Sequence, residues 1–146
     1  VTNPIVNLTT MILIILSGLG FTVWFDIIAN GKKLIRREMP RRWWFTRLKL
    51  QSKLAIIMTI LLIISGAVFV FLAEYDNPET LGNLSLGNKV MASFFQSVTN
   101  RTAGFATISQ NALHTESKLF HCILMFIGGS PGGTAGGVKT TTIAIE

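Results

Sequence analysis

The residues with the clearest potential for chemistry lie between two apolar segments, in the stretch 97–107, which reads SVTNRTAGFAT. Backbone carbonyl oxygens in a Thr/Gly turn can replace the hydration shell of a potassium ion. A short apolar run precedes the turn, and an acidic loop precedes that run. This order is typical of a re-entrant pore loop, since irregular backbone is tolerated at membrane depth only around a protein-lined or water-filled path. The pattern predicts part of a cation-conducting membrane protein.

A second unusual stretch, 128–137, reads GGSPGGTAGG and holds six glycines and one proline. Glycine costs a helix about 1 kcal/mol per position and proline about 3 kcal/mol, so the apolar run that starts at Leu119 must break here. A helix can resume over Val138–Ile145. We predict a broken membrane helix with a glycine loop at mid-depth, facing a water-filled path. A nucleotide-binding phosphate loop is disfavoured, because Val138 separates Gly137 from Lys139 where that motif needs Gly-Lys.

Several polar residues near these stretches leave alternatives open. Arg101 would repel a cation in the path, so we expect it to point away and anchor the turn to a carbonyl or carboxylate; an arginine that blocks the path is the alternative. Lys139 is either a snorkelling lysine on the cytoplasmic side or a contact of the glycine loop. His114 and His121 lack a third ligand at metal-site spacing. We predict no catalytic residue and no metal site beyond the transported ion, so the chain is not expected to be an enzyme.

The apolar segments set the architecture. Of 146 residues, 49% are hydrophobic and 14% charged, against about 25% charged in an average soluble domain. Leu54–Ala73 contains no charge and is long enough to cross about 30 Å of hydrocarbon. Ile5–Ala29 is predicted as one helix, with Ser17, Gly18 and Gly20 allowing close helix packing. The run Asn88–Val98, about 16 Å as a helix, can enter a bilayer but not cross it.

The charges predict the orientation. Nine of the 13 Lys/Arg residues and one of the seven acids lie in the segment 32–53. The positive-inside rule places 32–53 in the cytoplasm and the acidic loop 74–88 outside, in a multi-pass protein of the cell membrane. Trp43, Trp44 and Phe45 favour contact of this segment with anionic membrane lipids rather than nucleic acid. The sequence starts without methionine and stops within a predicted helix, so we expect an internal fragment.

Two motifs, FQSVTNRTAGF at 95–105 and FIGGSPGGTAGGVKTT at 126–141, resemble the Trk/Ktr/HKT superfamily of potassium transporters, most closely its KtrB-type membrane subunits. The resemblance implies an all-α membrane protein built from helix–pore loop–helix repeats around a pseudo-fourfold pore. Residues 1–31 would be the last transmembrane helix of a preceding repeat and 32–53 a basic cytoplasmic linker. Residues 54–146 would form a helix–pore loop–broken helix repeat.

The resemblance also implies roles for individual residues. Carbonyls of Thr102, Ala103 and Gly104, with Arg101 and Phe105 as further candidates, would supply one quarter of a potassium filter. Gly128, Gly129, Ser130, Pro131, Gly132, Gly133, Thr134, Ala135, Gly136 and Gly137 would form an intramembrane gate loop, with Lys139 as a gate contact. The implied activity is potassium uptake without a cofactor, with sodium coupling left open. The implied partners are a second copy of the full subunit and a cytosolic nucleotide-binding regulatory ring.

Two alternatives remain at this point. The first is a sodium-translocating member of the same family. The second is a non-transporting sensor or assembly module with the same fold. If the protein transports potassium or sodium, substitutions in the filter and gate would alter ion flux. If it is a non-transporting module, they would leave ion flux unchanged.

Overall fold

The computed structural model describes residues 3–36, 45–101, 103–130, 132–133, 136–139 and 142. These residues form the five α-helices α1 (Pro4–Gly18), α2 (Phe21–Ile35), α3 (Leu50–Ala73), α4 (Leu86–Thr99) and α5 (Thr115–Phe126). Within the same residues, the only β pairing is an isolated bridge between Ile127 and Val138. The prediction of an all-α fold is therefore confirmed.

Helix α3 is the central element. It has 24 residues and, within the described ranges, is the one unbroken helix long and apolar enough to cross a membrane. Small residues face the protein: a Cβ atom added at Gly66 would overlap Ser97 Oγ of α4. Ser97 Oγ in turn donates a hydrogen bond to the Ile63 carbonyl at 2.8 Å. The small residue and the hydroxyl together allow α3 and α4 to approach closely.

The first apolar segment is broken, so the prediction of one continuous helix over 5–29 was wrong. Helices α1 and α2 meet at 97°, and Gly20 adopts a φ of 79° at the break. The last-turn carbonyls of α1 lack partners inside the helix and find them outside. The Leu16 carbonyl accepts from Trp24 Nε1 at 2.9 Å, and the Gly18 carbonyl accepts from the Ser130 amide at 3.1 Å. The small residues near the middle of this segment thus coincide with a bend.

Helix α2 is tied to the start of α3 by a buried carboxylate. Asp26 is 8% exposed, and its Oδ2 accepts from the backbone amide of Lys49 at 2.7 Å. Its Oδ1 accepts from Asn30 Nδ2 at 3.0 Å. Lys49 immediately precedes the first residue of α3, so this contact joins the two helices that flank the basic segment.

Helices α4 and α5 pack along α3, and the loops that precede them lie beyond its C-terminal end. Helix α4 begins two residues before the predicted run, and α5 begins at Thr115 rather than at Leu119. A small hydrophobic core lies under the loops that lead into these helices. It consists of Leu81, Ala92, Ile108 and Leu113, with Leu84 packed against it.

Candidate ion-conduction site

The turn that follows α4 is organised by Thr99. The Thr99 carbonyl accepts from the amides of Ala103 at 3.0 Å and Gly104 at 3.3 Å. The Thr99 hydroxyl donates to the Phe105 carbonyl at 2.7 Å. We call residues 99–105 the filter turn. Thr102, which the sequence places in the candidate filter, lies outside the described residues.

Position 104 requires glycine because of its backbone conformation. Its φ is 77°, a left-handed value that residues with a Cβ rarely adopt. Among the described residues, no heavy atom lies within 4 Å of the position that a Cβ would occupy, so these residues leave space for a side chain. The candidate filter glycine is therefore required for the shape of the turn rather than for its packing.

Arg101 is buried beside the turn. It is 9% exposed, and its Nε and Nη2 atoms have no hydrogen-bond partner within the described part of the chain. The expected anchoring of these two atoms to a carbonyl or carboxylate is thus not found there. Arg101 lines a narrow cavity together with Gly18 and Gly129, so the filter turn, the end of α1 and the glycine loop meet at one place.

A larger cavity, about 830 Å³ in volume, separates α1 from the filter turn. Asn7, Thr10 and Ser17 of α1 line one side, and Arg101 and Phe105 of the filter turn line the other. The cavity therefore places polar side chains of α1 opposite the candidate filter.

The glycine-rich stretch forms a loop whose two ends lie side by side. Ile127 pairs with Val138, the Gly128 amide donates to the Val138 carbonyl at 3.0 Å, and the Val138 amide donates to the Phe126 carbonyl at 2.9 Å. Glycine is needed where the ends meet, because a Cβ at Gly128 would overlap the Gly136 carbonyl. We call residues 128–137 the glycine loop.

The glycine loop lies against the break between α1 and α2. The Ser130 amide donates to the Gly18 carbonyl at 3.1 Å, and the Phe21 amide donates to the Gly132 carbonyl at 3.2 Å. A Cβ at Gly133 would lie 2.9 Å from the Gly18 oxygen. The loop thus satisfies backbone groups that the break leaves open at the end of one helix and the start of the next.

Some of the predicted loop and helix lies outside the described residues, namely Pro131, Thr134, Ala135 and most of the segment after Lys139. The resumed helix over Val138–Ile145 is therefore not tested, although Val138 itself pairs with Ile127. Lys139 is half-buried at the end of the loop, and its carbonyl accepts from the Thr142 amide at 3.0 Å.

The sequence reasoning missed a buried carboxylate just outside the span. Glu74 follows the last residue of α3 and is fully buried. Its Oε1 accepts from the His114 amide and the Ser117 hydroxyl, and its Oε2 accepts from Asn77 Nδ2 and Thr80 Oγ1. One carboxylate therefore joins the end of α3, the outer loop and the start of α5.

The pKa of Glu74 reflects two opposed effects. Burial raises this pKa by disfavouring the charged form. The hydrogen bonds from Ser117, His114, Thr80 and Asn77 lower it, and together they hold the pKa below its ordinary value. In the sequence, Glu74 is only one acid in a loop; the spacing of its partners, up to 43 residues away, gives no local signal.

With this geometry in view, comparison with known proteins identifies the class. The TrkH family, described as a cation transport protein, matches residues 1–146. The chain therefore belongs to the TrkH family of cation transport proteins. This family membership agrees with the sequence-based prediction of a helical membrane protein related to cation transporters.

Within this family, the chain is similar to individual proteins that are named for ion uptake. The chain is 38% identical over 143 residues to the Ktr system potassium uptake protein B of Bacillus subtilis, covering 98% of this chain and 29% of the relative. It is 36% identical over 145 residues to the Ktr system potassium uptake protein B of Vibrio alginolyticus, covering 99% and 30%. It is 36% identical over 144 residues to the potassium/sodium uptake protein NtpJ of Enterococcus hirae, covering 99% and 29%.

The chain thus spans a little under one third of the length of these relatives. Their names describe ion uptake and not an enzymatic reaction, in agreement with the prediction of a transport protein. The resemblance to KtrB-type subunits that the two motifs indicate is confirmed.

Proposed function

We propose that the protein to which this chain belongs takes up potassium ions across the cell membrane. In this proposal the carbonyls of Thr102, Ala103 and Gly104, with Arg101 and Phe105 as further candidates, form one quarter of the selectivity filter. The glycine loop is the gate, with Lys139 as a contact at its end. The missing three quarters of the filter would come from the other repeats of the full subunit.

The similarity over the whole chain to proteins named for potassium uptake carries this proposal. The filter turn supports it, because Gly104 has a left-handed φ in a turn that directly follows a 14-residue helix, too short to span a bilayer. The partial negative charge at the C-terminal end of α4 favours a cation at this position. The narrow cavity shared by Arg101, Gly18 and Gly129 supports a gate next to the filter.

A sodium-translocating activity is the second candidate. One relative at 36% identity is named as a potassium/sodium uptake protein. The glycine in the visible quarter of the filter favours potassium by analogy with carbonyl filters. The ratio of the two ion fluxes in the full protein decides between the candidates.

The proposed setting follows from the charges and the exposed apolar surface. The segment 32–53 would face the cytoplasm and contact anionic lipids, and the loop 74–88 would lie outside. Large apolar side chains on α3 such as Ile57, Ile64 and Leu72 are exposed on this chain and would contact lipid or other repeats. The full subunit would form a homodimer and bind a cytosolic nucleotide-binding ring that moves the gate.

Rubidium uptake into liposomes tests this function. The samples are the full-length parent with its cytosolic partner, Gly104→Asp, a deletion of 130–136, and the fragment 1–146. A matched control is Gly87→Ala in α4, where a Cβ meets no heavy atom within 4 Å in the part of the chain that the structure describes.

We expect lost or unselective uptake with Gly104→Asp, because a carboxylate beside the filter and a strained φ both disturb the turn. The deletion should raise uptake and remove its regulation. The fragment alone should be inactive, and robust potassium-selective flux from it would contradict the quarter-pore proposal. An intact parent without uptake would favour the sensor alternative.

A further inference from the structure

Thr99 of α4 makes most of the hydrogen bonds that hold the described part of the filter turn. Thr99 is the last residue of the helix and is 2% exposed. It makes three hydrogen bonds across the turn, two through its carbonyl to the amides of Ala103 and Gly104 and one through its hydroxyl to the Phe105 carbonyl. Thr99, the first residue of the turn, is thus joined to the last three residues of the turn.

The bond from the hydroxyl differs from the other two. Bonds from amides to a helix-end carbonyl form at many helix C-termini and depend on the backbone. The bond from Thr99 Oγ1 to the Phe105 carbonyl, at 2.7 Å, needs this side chain. This bond fixes the direction of the Phe105 carbonyl. The preceding residue, Gly104, has a left-handed backbone and no side chain that could hold the chain in place.

We propose that Thr99 is a positioning residue of the selectivity filter, whose hydroxyl fixes the exit of the filter turn and thereby sets the discrimination between potassium and sodium. The inference rests on the proposed function. Ions that differ only in radius are distinguished by the number and placement of carbonyl dipoles, so a released carbonyl affects selectivity before it affects passage. Functional groups must be held to about 0.5 Å, which requires supporting hydrogen bonds.

The test uses Thr99→Val in the full-length parent, since valine keeps the shape of threonine and removes the hydroxyl. The ratio of rubidium to sodium flux into liposomes is measured together with the amount of folded protein. We expect this ratio to fall roughly five- to tenfold while total flux persists, because that factor corresponds to the net free energy of one hydrogen bond. Thr99→Ser restores the donor and should restore the ratio.

Ser93→Ala is the matched control. Ser93 is 1% exposed in the same helix, and its hydroxyl donates to the Lys89 carbonyl at 2.8 Å, within α4 and away from the filter turn. It removes a buried hydroxyl without releasing the turn, so the ratio should stay at the parental value. If Thr99→Val does not accumulate as folded protein, Thr99→Cys takes its place, because a thiol is a weak donor and should lower the ratio in the same direction.

An unchanged ratio in folded Thr99→Val overturns the inference. So does an equal shift in Thr99→Ser or in Ser93→Ala, since the hydroxyl at position 99 would then not be the cause. Gly104→Asp separates this failure from a failure of the proposed function. If Gly104→Asp abolishes selective uptake while Thr99→Val has no effect, only the role of Thr99 is wrong; if neither has an effect, the filter does not lie in this turn.

Discussion

At the scale of single residues, the charged groups that follow the C-terminal ends of α3 and α4 differ in how well they are hydrogen-bonded. Glu74 has all its partners within the described chain, four donors for two oxygens. Arg101 has two nitrogens without a partner there, although it is 9% exposed. A buried charge without partners is costly, whereas a fully hydrogen-bonded one is tolerated. The four donors therefore account for the burial of the Glu74 carboxylate, whereas the described residues supply no partner for the Nε and Nη2 atoms of Arg101.

The Glu74 carboxylate should contribute to stability. Glu74→Gln replaces one acceptor oxygen with an amide that faces two donors in either orientation, so we expect the free energy of unfolding to fall by about 2–3 kcal/mol. Unfolding of the full-length parent in detergent micelles measures this change. Glu79→Gln, in the same loop but exposed, is the control and should have little effect.

The same substitution should change the pH dependence of stability. The folded pKa of Glu74 lies below its ordinary value of 4.5. Its contribution is therefore complete above about pH 4.5 and is lost as the pH falls through the folded pKa. The parent should lose more stability than Glu74→Gln over this acidic range, and parallel curves for the two proteins would contradict the assignment.

The presence of a turn after α4 could be predicted from the sequence, but the contacts among its residues could not. A glycine after Thr-Ala between apolar runs indicates a turn with a left-handed residue, and Gly104 has that conformation. The bond from Thr99 to Phe105 joins residues six apart in a segment with no regular period. Periodicity gives no information on such contacts, so Thr99 was not among the predicted site residues.

At the scale of elements, the break between α1 and α2 and the glycine loop stabilise each other. The break exposes the Gly18 carbonyl and the Phe21 amide, and the loop supplies a donor and an acceptor for them. The sequence indicates the glycine loop strongly, through six glycines in ten residues. The break in the first segment has no such signal, because glycines in an apolar run also occur where membrane helices pack closely together.

Contact between the glycine loop and the break can be tested at two glycines of the same loop. A Cβ at Gly133 would lie 2.9 Å from the Gly18 oxygen and 3.1 Å from the Ser130 oxygen, whereas a Cβ at Gly136 meets no heavy atom of the described residues within 4 Å. Gly133→Ala should weaken the docked position of the loop, because the Gly18 oxygen belongs to backbone that cannot move freely. If the docked loop obstructs the path, rubidium uptake without the cytosolic partner should rise several-fold.

Gly136→Ala is the matched control and should behave as the parent. Equal uptake by Gly133→Ala and the parent, at equal amounts of folded protein, would show that the contact with Gly18 does not hold the gate. An equal rise in both variants would instead indicate a general effect of added side chains in the loop.

At the scale of the whole molecule, the described fold places the charges at opposite ends of α3. The basic residues Lys49 and Lys53 lie at its start, and the acidic loop with Glu74 and Glu79 follows its end. Helix α3 is long enough to separate these ends by a bilayer. The orientation therefore depends on one span and one charge difference, both of which could be predicted from the sequence.

This orientation leads to a direct labelling experiment on the full-length parent in intact cells. Cys122, the one cysteine of these 146 residues, is exposed, and it must first be replaced by serine together with any cysteine elsewhere in the full-length parent. Glu79→Cys and Lys33→Cys then each provide one exposed thiol, the first in the acidic loop and the second at the end of α2. A membrane-impermeant thiol reagent should label Glu79→Cys in intact cells and Lys33→Cys only after lysis, because basic loops are retained in the cytoplasm. Protein with the Cys122 replacement alone gives the background. The reverse labelling pattern would contradict the orientation, and labelling of both thiols in intact cells would show that residues 33 and 79 are on the same side, so that α3 does not cross the membrane between them.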